Sequence, residues 1–184
     1  MTAEPALRRK TIALVGLMGV GKSSIGRRLA ATLALPFRDA DTEVEEAAGR
    51  SIPDIFAELG EPAFRDGERR VIARLIEGPP KVIATGGGAF VNPETRALIL
   101  ERCIAIWLDA DLETLAERVS RRDHRPLLKG REPLPLLRDL AGARNPLYAE
   151  AHLHVRSQPA PHERAVDLIV EALATWEQGR SDRA

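Results

Sequence analysis

At 184 residues, with 44% hydrophobic and 29% charged side chains, the chain has the size and make-up of one folded domain that needs no disulfide or metal staple. Lys and Arg number 27, and so do Asp and Glu, so no net field draws the molecule to nucleic acid or to an anionic membrane, and any basic function has to be local. Arg8, Arg9 and Lys10 precede no secretory-length apolar run, and no stretch reaches transmembrane length, so a cytoplasmic protein is expected.

Along the chain, apolar β-branched runs alternate with helix-period segments, the pattern of βαβ units around a mostly parallel sheet. The first strand is predicted over 11–17. It leads into Gly16-Leu17-Met18-Gly19-Val20-Gly21-Lys22-Ser23, a phosphate-loop pattern placed after a strand and before a helix predicted over 22–33. Gly16, Gly19 and Gly21 allow positive φ and close approach, so several backbone N–H groups can face one anion, and the helix adds its positive end. Lys22 then supplies a point charge to the β- and γ-phosphates, and the Ser23 hydroxyl is placed to ligate Mg²⁺. This much points to a nucleoside triphosphate and leaves the acceptor open.

A short strand near Phe37 ends in Asp39-Ala40-Asp41. In an extended segment, residues two apart project to one side, so both carboxylates would enter one cavity at the carboxyl end of the sheet. One would steer Mg²⁺ and its waters; the other would accept a hydrogen bond from a substrate hydroxyl. Helix capping by Asp41 or Thr42 competes for the same residues, with Thr42 and Glu45 spaced as a capping box. A short helix is predicted over 42–48 and a longer one over 61–76, with Phe64, Val71, Ile72 and Leu75 on one face. Arg65 lies on that helix with Glu61 and Glu68 within a turn, which by itself reads as a solvated ion pair.

A third strand, 81–85, runs into Gly86-Gly87-Gly88, suited either to a tight turn or to close contact with a ring. The fourth, 103–108, holds the single cysteine, Cys103, which has no internal partner and reads as a small buried hydrophobe. A helix follows over 111–121. The segment 121–133 is dense in charge and broken by Pro126, Gly130 and Pro133, which predicts a mobile loop; His124 in it reads as exposed. Alone, such a loop is usually solvated surface, but opposite a triphosphate it is what a closing lid needs. Arg144 stands beside a turn-forming Asn145-Pro146. His152 and His154 alternate with Leu153 and Val155 in a fifth strand, 152–155, and read as structural, not as a metal pair. Val166, Ile169, Val170 and Leu173 stripe the last helix.

In this order and at these intervals the motifs resemble the shikimate kinase family from about residue 10 to 148. The matches are the phosphate loop, Asp39-x-Asp41, Gly49-Arg-Ser-Ile52 leading to Ile55-Phe56, Gly60-Glu61 with Phe64-Arg65, the triple glycine, Arg125-Pro-Leu-Leu128, and Arg144 ahead of Leu147-Tyr148. The resemblance implies an α/β, three-layer P-loop kinase fold of the nucleoside-monophosphate-kinase type, with a five-stranded parallel sheet and a mobile lid at about 121–133. It implies one domain over 1–184, with a core of about 10–177. ATP and shikimate would be the substrates and Mg²⁺ the cofactor, giving shikimate 3-phosphate and ADP on the route to chorismate and the aromatic amino acids.

The roles carry over residue by residue. Gly19, Val20, Gly21, Lys22, Ser23 and Ser24 would hold the nucleotide, with Arg118 on one face of adenine, Pro159 on the other, and Arg125 across the β,γ-phosphates. Ser23 and Asp39 would serve Mg²⁺, and Asp41 the acceptor hydroxyl. Arg65 and Arg144 would grip the substrate carboxylate, with Gly86, Gly87 and Gly88 along the ring. Lys22, Asp41 and Arg125 form the expected catalytic set. A gluconate kinase-like or other small-molecule P-loop kinase is the alternative, separated by Arg65, Arg144 and the triple glycine together. A non-catalytic nucleotide-binding module is disfavoured by intact Lys22, Ser23, Asp39 and Asp41. A nucleic-acid binder lacks net positive charge and aromatic side chains in the basic loop. A monomer is expected, without nucleic-acid or membrane partners.

Overall fold

The structure is a computed structural model and describes residues 10–121, 130–157 and 162–181. Five strands, β1 Thr11–Val15, β2 Phe37–Asp39, β3 Val82–Ala84, β4 Cys103–Asp109 and β5 Leu153–Arg156, form one parallel sheet in the order β2-β3-β1-β4-β5. The central strands read as unbroken apolar runs because helices cover both of their faces: every residue of β1 is buried, and in β4 all but Asp109. Ile12 and Leu14 pair with Ile104 and Ile106 across the middle of the sheet. Cys103 is buried at the start of β4, and burial pushes its thiol up to about 12, in line with a packing role. The first strand stops at Val15 and not at residue 17. Gly16 takes φ 141°, and a Cβ there would stand 2.3 Å from the Leu108 carbonyl oxygen, so the chain leaves the ladder.

Helix α1 (Lys22–Leu33) buries Ile25, Leu29 and Leu33, a four-residue spacing that lays one stripe on the sheet. Helix α7 (His162–Ser181) packs beside it, while α3 (Ile52–Glu77) and α4 (Pro93–Arg102) pack together on the opposite layer. The β1→β2 and β3→β4 connections step across the sheet in opposite directions, which puts their crossovers on opposite faces when both are right-handed.

The helices differ from expectation in four places. Helix α2 (Ala40–Ala48) begins two residues early. Helix α3 starts at Ile52, where Ser51 Oγ accepts from Asp54 N at 3.2 Å, and bends at Gly60, whose φ 82° and ψ 170° are not helical. Helix α4 was unexpected, although Asn92 caps it by accepting from Thr95 N at 3.0 Å. So was α6 (Pro133–Tyr148), in whose last turn Asn145 and Pro146 lie, so that pair forms no turn. Helix α5 (Leu112–Ser120) is close to its predicted span.

His152 and His154 are structural. Nδ1 of His152 accepts from Ala105 N at 2.9 Å, and the His154 ring stacks on Trp107 with centroids 4.0 Å apart. His124, Arg125, Pro126 and most of the expected lid, and likewise Pro159, lie outside the described residues. Among the described residues no helix is long and apolar enough to cross a membrane.

Candidate active site

A cavity of about 330 Å³ opens at the carboxyl end of the sheet, within the size range of small-molecule sites. The phosphate loop forms its floor with Gly19, Gly21, Lys22, Ser23 and Ser24, and Val20 is buried beneath. Gly19 and Gly21 take φ 82° and 96°, as their expected role requires, and Gly21 is the left-handed N-cap of α1. The Lys22 ammonium folds back over the loop it follows, donating to Gly16 O at 2.7 Å and Leu17 O at 2.9 Å. Its charge is thereby fixed above the helix N-terminus. Arg118 of α5 reaches Gly19 O at 3.5 Å and lines the same cavity.

Asp39 and Asp41 both line the cavity, but not as an extended pair. The chain turns helical at Ala40, so Asp41 sits in the first turn of α2 and Asp39 is its cap. Asp39 Oδ1 accepts from Asp41 N at 3.0 Å and from Thr42 N at 3.5 Å, so the cap is neither Asp41 nor Thr42. Glu45 closes no capping box; its Oε1 accepts from Ile52 N at 2.9 Å and ties α2 to the start of α3. Capping uses only one oxygen of Asp39. The other, Oδ2, accepts a hydrogen bond from the Ser23 hydroxyl, which brings α1 and β2 together at the loop.

Ser23 and Asp39 offer two hard oxygen ligands side by side, and among the described residues no group of three His, Cys, Asp or Glu forms a closed metal cage. That donor set fits Mg²⁺, which keeps several waters and is bound through one or two protein oxygens plus substrate phosphates.

On the acceptor side, Gly86, Gly87 and Gly88 do make the tight turn expected as one reading, with Ala89 N donating to Gly86 O at 3.2 Å, but none of the three has positive φ, so the turn itself does not demand glycine. For Gly86 and Gly88 space is the reason, whereas a Cβ on Gly87 would meet nothing nearer than 3.5 Å. A Cβ on Gly86 would stand 2.5 Å from Glu68 Oε1 and 2.9 Å from Asp41 Oδ1, and one on Gly88 would stand 2.4 Å from Arg65 Nη2. The Gly87 carbonyl accepts from Arg144 Nη1 at 3.0 Å and from the Tyr148 hydroxyl. The triple glycine is thus where side chains from α2, α3 and α6 meet.

Arg65 does pair with both glutamates, but only one pair is solvated. Glu61, at 3.4 Å, is more than half exposed, whereas Glu68, at 2.8 Å, is 2% exposed. Burial raises the Glu68 carboxyl above its usual range; Arg65 opposes that shift and the Asp41 charge adds to it. Its Oε2 is held by Arg65, while its buried Oε1 has no hydrogen-bond partner among the described residues. The solvated pair expected from the sequence is wrong for Glu68, and the signal was present: position 68 falls on the apolar face of Phe64, Val71, Ile72 and Leu75, where an acid needs a reason. His162 at the start of α7 also lines the cavity, its Cε1 3.2 Å from where a Gly21 Cβ would be, and no sequence pattern announces it. Arg125 and Pro159, being outside the described residues, have no position in the site.

A phosphate loop after β1, a serine of that loop bonded to an aspartate at the end of β2, and a β2-β3-β1-β4-β5 parallel sheet with a small-molecule-sized cavity at its carboxyl end together define a P-loop kinase fold. The family model described as shikimate kinase matches residues 18–174. A shikimate kinase of Caulobacter vibrioides is 68% identical over 167 residues, 91% of this chain and 84% of that protein. The chain belongs to the shikimate kinase family. Among solved structures, shikimate kinase from Acinetobacter baumannii in complex with shikimate superposes with a TM-score of 0.89 at 36% identity, covering 92% of this chain and 96% of that one. A gluconokinase from Sinorhizobium meliloti, with a TM-score of 0.62 and 18% identity over 96% of this chain and 98% of that one, shares the fold.

Proposed function

We propose that this chain transfers the γ-phosphoryl group of ATP to the 3-hydroxyl of shikimate, releasing shikimate 3-phosphate and ADP on the route to chorismate and the aromatic amino acids. The observation that carries the reading is the meeting of Arg65, Arg144 and the triple glycine beside Asp41, a site for a carboxylate-bearing polyol next to the phosphate loop. Membership of the family and the likeness to a protein solved in complex with shikimate support it.

The phosphate-loop N–H groups and Lys22 receive the triphosphate, and Lys22 is already oriented by two carbonyls, so little rearrangement precedes charge stabilisation. Ser23 and Asp39 would hold Mg²⁺, which when bound neutralises charge on the β- and γ-phosphates. Asp41 accepts the hydrogen bond of the acceptor hydroxyl and aims its oxygen. The unsatisfied Glu68 Oε1 next to it calls for a donor, which a polyol hydroxyl or an ordered water supplies. Arg65 and Arg144 hold the carboxylate by charge-assisted hydrogen bonds. Arg118 would flank adenine, with Pro159 as its partner, and Arg125 would bridge the β,γ-phosphates; these last two lie outside the described residues. We read the chain as one cytoplasmic domain with its core at about 10–177, acting as a monomer without nucleic-acid or membrane partners.

A coupled ADP-release assay with shikimate, its methyl ester and gluconate tests the reading. The wild type is expected to use shikimate, with the ester poorer in kcat/KM by about 10–100-fold, the worth of one charged hydrogen bond. Arg65→Ala should narrow the gap between acid and ester. Equal use of acid and ester by the wild type, or turnover of gluconate in place of shikimate, overturns it.

A further inference from the structure

Tyr148, the only tyrosine of the chain, is the last residue of α6 and has no exposed surface. Its ring lies among apolar groups, with centroids 6.0 Å from Trp107 and 6.3 Å from Phe90. Burial raises its pKa, so the phenol stays protonated and remains a donor. A phenol placed there is costly unless it is bonded, and its partner is the Gly87 carbonyl, 61 residues away in sequence. The same oxygen accepts from Arg144, one helical turn earlier on the same face of α6. Two donors of one helix therefore saturate one acceptor of the glycine loop.

Because the Gly87–Gly88 peptide is planar and trans, fixing the Gly87 C=O also fixes the direction of the Gly88 N–H. Gly88 in turn packs directly against the Arg65 guanidinium. The loop's own backbone bonds, Ala89 N to Gly86 O at 3.2 Å and Val91 N to Gly88 O at 3.1 Å, close the turn on either side without engaging the Gly87 carbonyl, so the two α6 donors are what hold that oxygen. We infer that Tyr148 is a positioning residue for the phosphoryl acceptor: its hydroxyl locks the Gly87–Gly88 peptide plane and, by sharing the carbonyl, sets the Arg144 guanidinium in the acceptor site. It touches neither ATP nor acceptor. The inference rests on the shikimate reading above.

Tyr148→Phe keeps the ring and removes the lock. Its KM for shikimate is expected to rise about fivefold, the worth of one neutral hydrogen bond, with the KM for ATP within about twofold of wild type. In an Arg144→Ala background the same change should have a smaller effect, because both side chains act through one carbonyl. A shikimate KM equal to wild type, an equal rise for both substrates, or strict additivity with Arg144→Ala overturns the inference. A wild type that does not phosphorylate shikimate overturns the functional reading instead. An independent readout needs no variant: ¹³C at the ζ position of tyrosine gives one signal in this chain, which should move when shikimate is added and stay in place when ADP alone is added. A signal indifferent to shikimate also overturns the inference.

Discussion

Gly88 shows how a glycine can be demanded by the protein's own side chains. A Cβ there would meet the Arg65 guanidinium at 2.4–2.6 Å, but that group is the far end of a flexible side chain, so the arginine and not the backbone must yield. Gly88→Ala is therefore expected to leave the thermal midpoint within a few degrees, to raise the KM for shikimate about tenfold by displacing a charged hydrogen-bond donor, and to leave the KM for ATP unchanged. Parallel melting curves and steady-state kinetics check it; a lost midpoint with an unaltered substrate preference would mean that the loop, not Arg65, had moved. Gly16 contrasts with it, because its hypothetical Cβ faces the backbone oxygen of Leu108 at a φ of 141° and nothing nearby can step aside. The triple glycine was visible in the sequence as a place without side chains. That it makes room for Arg65, Glu68 and Asp41 was not, because those residues come from two other helices.

Helix α3 matters most at the element scale, since its second half carries both Arg65 and Glu68. Gly60 breaks it with φ 82° and ψ 170°, and Pro62 follows, so the two halves point differently: Ile55 is buried from the first half, and Phe64, Glu68 and Val71 from the second. An alanine at 60 has to hold a positive φ or straighten the helix. Gly60→Ala is expected to lower unfolding free energy by about 1–3 kcal/mol, the cost of this nearly glycine-only conformation for a residue with a Cβ, in urea titrations, and to raise the KM for shikimate by swinging Arg65. A variant as stable as wild type would mean that the bend is not imposed at this residue. The Gly60-Glu-Pro62 cluster explains why a helix beginning at 61 was expected, with residues 52–59 left out: breakers mark a bend and an end with the same residues. Helix α6 was hidden for a related reason, because Pro133 reads as loop punctuation although proline at the first helical position is favourable.

For the molecule as a whole, Cys103 offers a probe of cooperativity. It opens β4, beside the central strand β1, is 4% exposed, and its thiol is pushed up to about 12 by burial, so at pH 8 the reactive thiolate is scarce. Labelling with an aromatic disulfide at pH 8 should proceed only as the sheet opens, and should slow further with an ATP analogue and shikimate present, since ligands that bind only the folded state suppress opening. Labelling of the native protein at the rate of a free thiol would show local opening at β4 instead. The sequence by itself determined the phosphate loop, the buried central strands, Asp39 and Asp41 as site residues, and the family. Those features are local: Gly16 to Ser23 are contiguous, and a strand covered on both faces must be apolar along its own length. Only the tertiary structure decided that Asp39 caps α2 while receiving Ser23, that Glu68 is buried with one oxygen unsatisfied, that His162 closes over Gly21, and that Arg144 and Tyr148 converge on a carbonyl 57 and 61 residues away. Each of these depends on where separate helices end once packed on the sheet, a distance in space that spacing along the chain does not encode.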